Sequence, residues 1–195
     1  MKRVKNVFII MAILPAILFL LSCDNILNDS EASTSILIVV KITGYTDTGD
    51  DADFLQSDVY EETSNTVVAD VVSATLEVRL REPETLGPGS SYMSSILVDH
   101  YEVSYTAVDP SDSSVPGTFE GHLSTVIAID SSIDVSFVIV REVAKANSPL
   151  FDLRGTVSIL QVTASITFYG HDVLDPDKEV QTTGYLSIYF AEYAD

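Results

Sequence analysis

The chain has one cysteine, no tryptophan and few basic side chains: ten Lys and Arg against 29 Asp and Glu in 195 residues. One cysteine excludes an intrachain disulfide, so a core must hold the fold, and the length is enough to build one. The charge imbalance leaves no basic patch. Such a surface repels nucleic acid and anionic headgroups, and no nucleic-acid partner is expected. It favours solubility and attracts cations or a basic partner. An apolar content of 46 % excludes a disordered chain. No stretch after Cys23 has a helical period, and no internal repeat is present.

What is there begins with a leader. Lys2, Arg3 and Lys5 precede an apolar run, Val7–Leu21, interrupted only by Pro15. A basic start, a short apolar stretch and a small residue before the cut describe an export signal. The run is shorter than the roughly 20 apolar residues of a spanning helix, and Pro15 weakens a permanent helix. It ends in Leu20-Leu21-Ser22-Cys23. That tetrapeptide resembles the lipobox of bacterial prolipoproteins.

The resemblance implies cleavage before Cys23, lipidation of its sulfur and acylation of its freed amine. Two or more acyl chains anchor a protein stably. It therefore implies a bacterial cell-envelope location with the membrane as a partner through Cys23. Inner and outer membrane stay open, although Asp24 follows the cysteine. Residues 1–22 read as signal peptide, 23–33 as lipidated tether and 34–195 as the domain. Without its leader the chain keeps seven basic against 29 acidic residues, a net charge of −22.

Val, Ile, Thr, Ser and Tyr dominate the remainder, a mix that favours strands. Ile36, Ile38, Val40 and Ile42 alternate as a first strand. Tyr45–Asn65 is polar and reads as a long connection. Leu76, Val78 and Leu80 alternate with Glu77, Arg79 and Arg81. Pro83, Gly87, Pro88 and Gly89 mark a loop. Tyr101, Val103, Tyr105 and Ala107 alternate next. Phe119, Leu123, Ile127 and Ile129 suggest one or two strands, and Ile133, Val135, Phe137 and Ile139 another. Lys145–Pro149 breaks the pattern. Leu160, Val162, Ala164, Ile166 and Phe168 form the clearest strand, and Leu186, Ile188 and Phe190 the last.

Seven or eight such strands with long loops predict an all-β, antiparallel sandwich. Asp99-His100-Tyr101-Glu102-Val103-Ser104-Tyr105 resembles the third strand of fibronectin type III domains. Ile166-Thr167-Phe168-Tyr169-Gly170 and the turn beyond it resemble a last hairpin. The resemblance to immunoglobulin-like and fibronectin type III domains covers about Thr34–Tyr193. It departs from that pattern in lacking the core Trp and in its length.

No motif names a reaction. His100, His122 and His171 stand in no metal-spaced pattern and read as surface or strand histidines. Gly87-Pro88-Gly89-Ser90-Ser91 lacks the lysine of a phosphate loop. No GxSxG elbow exists. Asp172, Asp175 and Asp177 crowd a turn, the kind of oxygen-rich loop that calcium uses, without EF-hand spacing. Asp47, Asp50, Asp51 and Asp53 form a second acidic cluster, able to share an ion if both clusters lie at one end. Otherwise no cofactor is expected. Tyr92, Tyr101, Tyr105, Tyr169, Tyr185, Tyr189 and Tyr193 suit cross-strand packing, or stacking against sugars from an outer face.

The expectation is a non-catalytic binding or structural module with an envelope protein or glycan as partner. Its alternatives are a calcium-dependent adhesive module and an envelope enzyme that processes glycans with paired carboxylates.

Overall fold

The computed structural model describes residues 33–61, 66–81, 95–111 and 114–193. Nine strands occur among them: β1 (Ser35–Tyr45), β2 (Asp51–Ala52), β3 (Phe54–Asp58), β4 (Asp70–Leu80), β5 (Ile96–Ala107), β6 (Phe119–Ile127), β7 (Ser131–Val140), β8 (Leu160–Asp172) and β9 (Glu179–Ala191). One sheet has the order β2-β1-β4-β7, and the other β3-β9-β8-β5-β6. Their inner faces share one apolar core, so the chain is a β-sandwich. Within these, β1-β4-β7 faces β9-β8-β5-β6.

Period-two patterning drives the assembly. Along β8 every second residue from Leu160 is buried, and Val162, Ala164, Ile166 and Phe168 all face inward. Each alternate residue meets the opposite sheet and leaves its neighbour to solvent. The missing tryptophan is replaced by three rings. Phe137 of β7 packs edge-on to Phe168 at 5.3 Å and to Tyr101 of β5 at 5.1 Å. The Tyr101 hydroxyl donates to the Val138 carbonyl at 3.0 Å, and that of Tyr105 to the Ile139 carbonyl. Burial raises the pKa of both phenols. These two tyrosines therefore tie one sheet to the backbone of the other.

Two departures from pure alternation have local causes. Between Val39 and Lys41 the β1–β4 register shifts, leaving Val40 exposed. The bulge flips the pleat, so Leu37 and Ile42 face the core rather than Ile36, Ile38 and Val40. The polar connection Tyr45–Asn65 also holds β2 and β3. Strand β3 pairs parallel with β9, with Leu55 opposite Ile188. It buries only Leu55 and Ser57, too little apolar alternation to read as a strand. A four-residue helix, α1 (Glu142–Lys145), and a 3-10 turn, Phe151–Leu153, lie between β7 and β8.

Candidate functional site

The described residues present two places where polar side chains gather. The first grows from a bulge in β5. Asp99 is an extra residue against β8, where Val98 pairs with Gly170 and His100 with Tyr169. The bulge sets Asp99 and His100 side by side on the outer face. Gly170 permits the close approach, because a Cβ there would sit 2.4 Å from the Leu97 carbonyl oxygen.

Asp99 then bridges two histidines. One carboxylate oxygen bonds Nδ1 of His100, and the other lies 3.3 Å from Nδ1 of His171. The His100 ring stacks on Tyr169 at 4.6 Å, nearly parallel. With Asp99, Glu179 and Gln181 these groups line a cleft of about 630 Å³. On β6, His122 pairs in register with His100. The cleft thus brings together two imidazoles, a carboxylate and an aromatic face.

The second gathering is buried at the other end of the sandwich. Lys145 of α1 reaches Asp70, the first residue of β4, at 2.8 Å. Its ammonium also donates to the Asp58 carbonyl at 2.7 Å. Ser57 of β3 donates to Asp70 Oδ2 at 2.6 Å, and Tyr45 of β1 to Oδ1 at 3.0 Å. Burial, with the charge of Asp70 beside it, pushes the Tyr45 phenol far above its ordinary value. Arg154 fixes the α1 segment by donating to the Lys145 carbonyl and stacking on Tyr60 and Phe151. A cleft of about 490 Å³, lined by Tyr45, Gln56 and Asp58 among others, opens beside the pair.

The acidic clusters lie apart. Asp47, Asp50 and Asp51 adjoin the C-terminal end of β1, whereas Asp172–Glu179 joins β8 to β9 at the opposite end. An ion shared between them is excluded. Asp172 turns inward, Asp175 pairs with Lys178 at 3.4 Å, and Asp177 is exposed. Among the described residues no group of three or more His, Cys, Asp or Glu could hold a metal ion. Asp175 and Pro176 serve the turn, in which Lys178 N donates to the Asp175 carbonyl. Cys23 lies outside the described residues, as does Tyr92. Tyr101 and Tyr105 are core, and Tyr185 stands on the outer face.

Asp172 carries a cost. Burial raises its pKa, against the lowering effects of a Ser33 hydrogen bond and Lys178, and its Oδ1 has no hydrogen-bond partner. A raised folded-state pKa means the folded chain holds this proton more tightly than the unfolded one. The group's favourable contribution is then complete below the unfolded value, about 3.9, and is lost as pH rises through the folded value. Asp172→Asn should therefore melt higher than the parent at neutral pH, with the gap closing as acid protonates the parent. Melting scans across pH check this; a gap that widens in acid would contradict it.

Compared with protein-family models, with curated proteins and with solved structures, the chain has no match.

Proposed function

We propose that this chain is a lipid-anchored lipoprotein of the bacterial cell envelope whose sandwich is a non-catalytic binding module. The observation that carries the reading is Leu20-Leu21-Ser22-Cys23 closing a basic-then-apolar leader. The first strand of the domain starts at Ser35, twelve positions after that cysteine. The Asp99 cleft is the surface offered to the partner, an envelope glycan or a protein. Its polar lining and stacked His100–Tyr169 pair support that choice, and the strong negative charge excludes polyanions.

Cys23→Ala should abolish lipid attachment and leave precursor that keeps its leader or is cut elsewhere. Mass spectrometry of the parent should find diacylglycerol on an N-terminal Cys23. A parent protein with no lipid mass on Cys23 would sink the proposal.

A further inference from the structure

The Lys145–Asp70 pair is taken almost wholly out of water, with 3 % and 8 % of the two side chains exposed. Burial of this kind forfeits hydration that mutual attraction only partly restores. Moving one proton along the 2.8 Å hydrogen bond leaves a neutral amine against a neutral carboxylic acid. Those are the reactants of amide formation. In bulk water they rarely join, because they must first meet and because both prefer to be ions. The fold works on both obstacles. It holds the groups in contact at 2.8 Å, and well-oriented intramolecular reactions reach effective molarities of about 10⁵–10⁸ M; it also takes both side chains out of the water that solvates their ions.

We propose that Lys145 and Asp70 become joined by an intramolecular isopeptide bond. Nζ attacks Cγ, which lies one bond beyond Oδ1, after the carboxyl group turns its face to the amine. The Nζ–Cγ bond forms and the Cγ–Oδ1 bond breaks. Oδ1 departs as water with one hydrogen from Nζ and the proton already transferred to it. Nothing is oxidised or reduced, and no other reactant is needed.

The surroundings fit each part of this step. Ser57 donates to Oδ2, which stays as the amide carbonyl oxygen, and stabilises charge that develops there. Tyr45 donates to Oδ1, the leaving oxygen. Tyr45 also lines the neighbouring cleft, which gives the water a way out. The product keeps one N–H for the Asp58 carbonyl, which Nζ already meets at 2.7 Å. The bond would tie the start of β4 to α1, 75 positions along the chain. It would give a protein that cannot form an internal disulfide a covalent cross-link within its domain.

Peptide mapping of the purified full-length protein tests this directly. Trypsin should fail to cut after Lys145 and should release a branched peptide containing Asp70 and Lys145. Its mass should fall one water short of the two linear peptides together. Lys145→Arg should abolish the branched species, and Tyr45→Phe and Ser57→Ala should each reduce it in folded protein. Only linear peptides with normal cleavage at Lys145, after prolonged incubation at neutral pH, would overturn the proposal. So would a branched species that persists in Lys145→Arg.

Discussion

Phe168→Ala should destabilise the domain by about 3–5 kcal/mol, the range for emptying a fully buried aromatic site. Phe168 has no exposed surface. Its ring meets Phe137 of the opposite sheet at 5.3 Å and Tyr101 at 6.2 Å. Truncation removes the transfer term and opens a cavity between sheets whose strands cannot close without breaking register. In a domain of this size the loss corresponds to a melting shift of roughly 6–20 °C. Tyr185→Ala is the matched control. Tyr185 stands 68 % exposed on the outer face of the same sheet, and a surface change there should stay within about 0.5 kcal/mol. Urea unfolding of both variants checks the ordering. Equal losses would mean that Phe168 does not sit between the sheets.

That prediction was legible in the residues, and the reason is physical. Strand β8 buries one face, so solvent and core impose strict alternation on it, and β5 and β9 alternate over most of their length. The bulge at Asp99 left a signal in the sequence that the strand reading above does not use. Ile96 and Val98 are separated from Tyr101, Val103 and Tyr105 by a skipped phase, and a shift of that kind signals an extra residue. The meeting of Asp99 with His171 was not legible, because it depends on which strands pair and in which register. Strand β3 escaped notice since it contributes one apolar core residue, Leu55, beside buried Ser57. Lys145 read as an interruption between strands. Its burial follows from Asp70, an acid whose side chain is buried at the head of β4, and only the fold joins the two.

The largest effect should come from that pair. Lys145→Met strands the Asp70 carboxylate in the interior and leaves the Asp58 carbonyl without this donor. Removing one partner of a buried pair costs about 3–5 kcal/mol. A second substitution separates the two states of the pair. If Lys145 and Asp70 were joined only by charge, Lys145→Met/Asp70→Asn would recover most of the loss. The stranded charge would be gone, and the amide oxygen could still accept from Ser57 or Tyr45, with the amide nitrogen taking the other position as a donor. If they are joined by an amide, removing both residues also removes a cross-link across 75 positions. By the chain-entropy model a closure of that length is worth roughly 4 kcal/mol. The double variant should therefore remain roughly 4 kcal/mol less stable than the cross-linked parent. Urea midpoints for the parent and both variants decide between the two. A double variant as stable as the parent would reduce the contact to an ordinary ion pair.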